Sequence, residues 1–120
     1  MVRDMDLCRE IMRQIADSRT LDAPVKVAVE GRSDDEITYQ LHILRQAGLI
    51  EAIDLTTLGG MAHRPLRLTW DGNEFLDATR DDTIWNRAKA GFGKAGGALT
   101  FDLLLAACKA QIGELTGLDL

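Results

Sequence analysis

Cysteine is scarce in this chain, with two residues, Cys8 and Cys108, far apart in sequence. A disulfide framework is therefore excluded as the source of stability. Each cysteine lies on the apolar side of a predicted helix, where a free thiol packs as a small hydrophobe. Histidine is equally rare, and His42 and His63 do not give the cysteines the close pair spacing that zinc modules use, so no metal site is expected. Long hydrophobic runs are also missing. The longest, Leu103 to Cys108, falls far short of the roughly 20 residues a membrane helix needs. No charged-then-apolar leader appears, since Met1-Val2-Arg3-Asp4 passes directly into an amphipathic pattern. A cytoplasmic protein with no membrane partner is expected.

Catalytic signals are absent as well. Asp34-Asp35-Glu36 and Asp81-Asp82 are acidic groups, and both suit the positive end of a helix dipole. The glycines between 91 and 97 lack the spacing and the preceding strand of a phosphate-binding loop. No enzyme activity and no cofactor are expected.

What is present is enough apolar material, 46% of 120 residues, to build one core unaided. The net charge is −5. Nucleic-acid binders usually carry a basic surface, because phosphate contacts supply most non-specific affinity. Overall acidity does not forbid DNA binding if basic residues cluster on one face.

Leu7, Cys8, Ile11, Met12 and Ile15 form one helical stripe, with Asp4 and Asp6 near its start. Pro24 ends the following loop, and Val25, Val27 and Val29 alternate with Lys26, Ala28 and Glu30 as a short half-buried strand. Ser33-Asp34-Asp35-Glu36 is a capping box that opens a helix with Ile37, Leu41, Leu44 and Ala47 inward, ending at Gly48. Leu49 to Leu55 and Leu66 to Thr69 read as two strands around a loop containing Gly59-Gly60 and Pro65. Thr69 then caps a helix with Phe75 and Leu76 inward. Asp81-Asp82-Thr83 punctuates it, and Ile84 onward is helical again. Gly91, Gly93, Gly96 and Gly97 break the chain before a last helix with Phe101, Leu104, Leu105, Cys108 and Ile112 on its stripe.

This order predicts an α+β, mainly helical fold, a winged-helix domain with a β-hairpin wing and additional C-terminal helices. Residues 1–90 form the winged-helix core, 91–97 a Gly-rich loop, and 98–120 a helix packing on the core or on a second subunit. A helix ending in Gly48-Leu49-Ile50, then a hairpin, then Leu68-Thr69-x-x-Gly72 carries the pattern. One feature departs from DNA-binding relatives of that fold. The strand around Val27 leads directly into the Ser33 helix, so the first helix of the usual pair is missing or reduced to a turn.

Arg3-Asp4-Met5-Asp6-Leu7, Ile37-Thr38-Tyr39-Gln40-Leu41 with Ala47-Gly48-Leu49-Ile50, and Leu68-Thr69-Trp70-Asp71-Gly72-Asn73-Glu74-Phe75-Leu76-Asp77 with Arg80-Asp81-Asp82 are the most distinctive blocks. Together they resemble a bacterial and phage domain-of-unknown-function family, number 2513, across most of the chain. The family pattern prefers His where this chain has Gln40 and Asn73. The resemblance implies a winged-helix-like fold and a phage or mobile-element setting, and it implies no reaction.

On the Ser33 helix, Thr38, Tyr39, His42, Arg45 and Gln46 lie opposite the core side and have the chemistry to read base edges. The same set also suits an ordinary solvated face, and Asp34 and Asp35 at the helix start would repel phosphate. The wing adds His63, Arg64 and Arg67, a common kind of phosphate contact. Trp70 and Trp85 read as packing residues. The last helix carries Leu103, Ala106, Ala107 and Ala110 opposite its main stripe, a face suited to a homodimer contact.

Two functions follow. The first is a dimeric DNA-binding transcriptional regulator of bacterial or phage origin, docking on double-stranded DNA. The second is a non-catalytic interaction module that turns a winged-helix scaffold toward a host or phage protein. A continuous basic patch over Arg45, Arg64 and Arg67 would favour DNA, whereas carboxylates interrupting it would favour a protein partner.

Overall fold

The computed structural model describes residues 1–95 and 99–118. It is an α+β, mainly helical chain with five helices and a two-stranded antiparallel hairpin among the described residues. The order of elements is consistent with a winged-helix-like arrangement followed by additional C-terminal helices. The chain divides into two compact units, Met1–Asn73 and Glu74–Leu120.

In the first unit, α1 (Met5–Ala16) starts where the Asp4 carboxylate accepts the Leu7 amide. Its stripe of Leu7, Cys8, Ile11, Met12 and Ile15 is buried as expected. Helix α2 (Asp34–Gln46) opens with the full capping box: Ser33 Oγ accepts the Glu36 amide, and the Glu36 side chain returns to the Ser33 amide. It closes with Gly48 at a φ of 74°, the Gly48 amide on the Arg45 carbonyl and the Leu49 amide on that of Leu44. These are the two bonds of a Schellman motif. Ile37, Leu41 and Leu44 are buried on α2, but Ala47 is exposed, because the chain turns away there at the helix end.

Strands β1 (Ile50–Asp54) and β2 (His63–Leu68) pair antiparallel, Ile50 opposite Leu68 and Asp54 opposite His63. A bulge at Glu51/Ala52 shifts the register. The returning strand thus begins three residues earlier than the sequence suggested and includes Pro65.

The expected strand at Val25–Val29 is not formed. The segment is extended, with Val25, Val27 and Val29 half-buried, yet one backbone bond joins it to β2, from the Val25 amide to the Pro65 carbonyl at 2.8 Å. Proline has no N–H to return the second bond of that pair. Ala28 is held instead by Gln14, which accepts its amide and donates to its carbonyl.

Helix α3 (Trp70–Ala78) begins at Thr69, whose Oγ accepts the Gly72 amide and donates to the Gly48 carbonyl at 2.6 Å. Trp70 was expected to pack, but it is 79% exposed at the first position of this helix. In the second unit, Phe75 meets Trp85 and Phe101 edge to face, at centroid distances of 6.3 and 5.5 Å. Leu76, Ala88, Leu104 and Cys108 are buried there too.

Helix α4 (Asp82–Ala95) runs on through Gly91 and Gly93, so this part of the expected Gly-rich loop is helical. Gly96 and Gly97 lie outside the described residues. Helix α5 (Phe101–Thr116) starts at Thr100 and ends at Gly117, with a φ of 73°. Among the described residues no helix is long and apolar enough to cross a membrane.

Candidate functional site

The candidate surface is built by α2 and the hairpin. Thr38, Tyr39 and His42 are half-buried along α2, and Arg45 and Gln46 are exposed at its end. Arg64 and Arg67 lie on β2, facing β1 across the ladder.

Carboxylates meet two of the three arginines. Arg67 pairs with Glu51, its partner in the register, and reaches Asp22 at 3.7 Å and the Leu21 carbonyl at 2.8 Å. Arg45 Nη1 stands 3.8 Å from Asp54 on β1. Arg64 is exposed and has no carboxylate partner among the described residues. Arg32, on the loop before α2, is held by Asp4 and by Glu36, the latter at 2.8 Å. The basic surface is thus interrupted by acidic groups at each arginine except Arg64. These exposed pairs contribute little stability, but they cancel the local charge that phosphate would meet.

His63, read from sequence as an exposed wing residue, is buried, with a side chain 1% exposed. It lies at the start of β2 and stacks on His42, with centroids 5.4 Å apart and planes at 28°. Asp54 approaches Nδ1 only to 3.9 Å, beyond hydrogen-bond range, and neither ring nitrogen has a hydrogen-bond partner among the described residues. Burial pushes the His63 imidazole below its ordinary range, with Asp54 opposing and His42 and Arg45 reinforcing that shift. Two bonds from Thr56, backbone first, hold the Asp54 carboxyl below the usual carboxylate range. His63 therefore cannot contact a phosphate without leaving its site.

The sequence reading missed the apolar exposure of the hairpin. Ile53 on β1 and Leu55 just beyond its end are both partly exposed, on either side of Asp54 in sequence as strand alternation requires. At the tip Leu58 is fully exposed and Met61 partly so. The signal was available, because Leu58 sits next to Gly59-Gly60 in a turn that buries nothing. The turn is tight: Thr57 and Gly60 bridge each other's backbone.

Gln40 was also missed. It is buried on α2, accepts from the Asp4 amide at 3.0 Å and from the Cys8 thiol at 3.3 Å, and donates to the Val2 carbonyl. This ties the start of the chain to α2. In the second unit, Leu103 is 45% exposed on α5, Ala106 and Ala110 are exposed, and Ala107 is half-buried. No group of three or more His, Cys, Asp or Glu suited to a metal ion occurs among the described residues.

The profile of a family described as "Hypothetical protein (DUF2513)" matches residues 2–98. The chain belongs to this family. It is also similar to an uncharacterized protein of Haemophilus influenzae, 31% identical over 116 residues that span 96% of this chain and 98% of the relative. No solved structure matches the chain.

Proposed function

We propose that the protein is a non-catalytic interaction module whose hairpin and α2 bind another protein. The observation that carries this reading is the pairing of Arg45 with Asp54 and of Arg67 with Glu51 and Asp22. A DNA-docking face needs those cations free to release counterions from phosphate. Here they are neutralised, on a chain of net charge −5.

The wing supports the same reading. Its tip, Thr56 to Ala62, carries no basic residue, and it presents Leu58, Met61 and the neighbouring Leu55 to solvent. Apolar side chains gathered on one protruding element suit a protein contact, where water is expelled from an apolar centre. The reduced helix before α2 removes the element that would otherwise brace α2 against a DNA backbone. The proposed setting is the bacterial cytosol, where buried free thiols such as Cys8 and Cys108 persist. A phage or mobile-element origin and self-association through Leu103, Ala106, Ala107 and Ala110 belong to the same proposal.

Fluorescence anisotropy with a random-sequence duplex, at low and at near-physiological salt, tests it. No binding at either salt is expected. Binding that weakens steeply with salt, and is lost in an Arg45→Ala/Arg64→Ala double variant, would instead establish the DNA-binding regulator. A photo-crosslinking residue placed at Leu58 in the host should then capture a discrete protein, which the same residue placed at Glu10 should not.

A further inference from the structure

The edge of β2 that faces away from β1 is unpaired at His63. Leu55 donates to the Ala62 carbonyl across the hairpin, and Ile53 faces Arg64. The backbone groups of Ala62 and Arg64 therefore point to β1, and by alternation those of His63 and Pro65 point the other way. Pro65 uses its carbonyl on the Val25 amide and has no N–H to offer. Two residues further along, where Val27 would meet His63, no backbone bond forms.

Both segments, Pro24 to Val27 and His63 to Pro65, line a cavity of about 300 Å³. The His63 side chain is 1% exposed against 9% for the whole residue, so what it offers this cleft is its main chain. Val27, Ile37 and Leu41 supply an apolar lining. Lys26 and Arg64 also line it, and neither has a carboxylate partner among the described residues. Asp34, at the start of α2, is the acidic residue of the lining.

We propose that this cleft takes an extended, acidic peptide segment of a protein partner, which adds to the open edge of β2 at His63 and sets a carboxylate between Lys26 and Arg64. The proposal rests on the reading above that the protein acts by binding another protein, and it names the chemistry of that partner. Strand addition fits because an unpaired ladder edge supplies affinity through main-chain bonds, while side-chain contacts supply selectivity. The volume suits a short stretch of chain with an apolar side chain against Ile37 and Leu41. Two unpaired cations against one carboxylate make the lining locally positive on a chain that is acidic overall. An acidic segment is therefore selected over a basic one.

The test is selection of displayed, unstructured 12-residue peptides against the full chain. The most enriched peptide is then synthesised and titrated into ¹⁵N-labelled protein. Enriched peptides should carry an acidic residue beside an apolar one and should shift the Val27 and His63 amide resonances. A Lys26→Gln/Arg64→Gln variant, with its folded spectrum retained, should bind at least tenfold more weakly. Asp34→Asn should bind as well as wild type or better, and Glu114→Gln, on α5 in the second unit, should leave affinity unchanged.

Enrichment of no peptide, or of peptides without acidic residues, overturns the proposal, as does binding that survives the Lys26/Arg64 change. If affinity survives the Lys26/Arg64 change and is lost in a Leu58→Asp variant, the cleft proposal fails while the protein-binding reading stands. Duplex DNA binding by wild type would remove that reading itself.

Discussion

A Cβ on Gly72 would lie 1.9 Å from the carbonyl oxygen of Leu49, so only glycine lets the start of α3 rest on the chain that leaves α2. Thr69 completes this joint by bonding the Gly48 carbonyl through its hydroxyl and the Leu49 carbonyl through its amide. Gly48-Leu49-Ile50 and Leu68-Thr69-x-x-Gly72 are thus two halves of one contact.

Gly72→Ala should therefore cost about 1–3 kcal/mol, because the obstructing atom is backbone and cannot rotate aside. Gly91 is the matched control. It lies inside α4, and an added Cβ there meets nothing within 4 Å. Gly91→Ala should stabilise by roughly 0.5–1 kcal/mol through helix propensity. Urea unfolding of both variants checks the pair, and equal shifts would show that the Leu49 approach is not tight.

Stability should depend on pH through His63. Its folded-state pKa lies below the ordinary 6.5, with burial as the leading cause. Above that pH the imidazole is neutral in both states and nothing is lost. As pH falls below about 6.5 the unfolded chain takes the proton first, so stability declines until the folded-state value is passed. Asp54 has the opposite sign of charge but is also depressed, so its contribution is lost only below the ordinary carboxylate value of 3.8. Urea midpoints at pH 7.5 and 5.5 should differ in wild type, and His63→Phe, which keeps a ring against His42, should remove most of that difference. An unchanged difference in the variant would assign the pH dependence elsewhere.

The elements that sequence reading located were those whose causes are local. Ser33 to Glu36, the Gly48 stop and the Thr69 cap each depend on residues within one turn. The misreadings depended on partners distant in sequence. Extending the alternation of Leu66 and Leu68 backwards puts His63 on the outer face, but the bulge opposite Glu51/Ala52 adds one residue and turns His63 and Pro65 inward. The Val25–Val29 strand failed because of a missing N–H at Pro65, forty positions along the chain. The helix through Gly91 and Gly93 formed against the propensity of both residues. The charge pattern of the candidate surface was illegible for the same reason as His63: that Glu51 meets Arg67, and Asp54 meets Arg45, follows only from the register.

Cys8 should be chemically silent in the native state. Burial, with the nearby Asp4 charge adding to it, pushes its thiol up to about 12, and it is fully buried against Gln40. The thiolate is the reactive form, so a disulfide reagent at pH 8 should modify Cys8 only as fast as the first unit opens. Mass spectrometry of peptides after timed labelling reads this directly. Gln40→Leu, which leaves the Asp4 amide and Val2 carbonyl without their partner, should speed labelling and cost about 1–3 kcal/mol. Rapid labelling of wild-type Cys8 would contradict the packing described for α1 and α2.

If Asp22, Glu51 and Asp54 are what keep this surface from attracting phosphate, then removing them should create an affinity that wild type lacks. An Asp22→Asn/Glu51→Gln/Asp54→Asn variant leaves Arg45 and Arg67 unpaired beside Arg64, which already has no carboxylate partner among the described residues. It also carries three fewer negative charges than the wild-type −5. Random duplex DNA should then bind at low salt, with an affinity falling steeply as salt rises, the signature of counterion release. Wild type measured alongside should show no binding. A variant that stays inert would mean that the geometry of α2 and the wing, rather than the carboxylates, excludes DNA. Equal binding by wild type and variant would mean that phosphate is met by some other surface, and that the ion pairs at Arg45 and Arg67 say nothing about the partner.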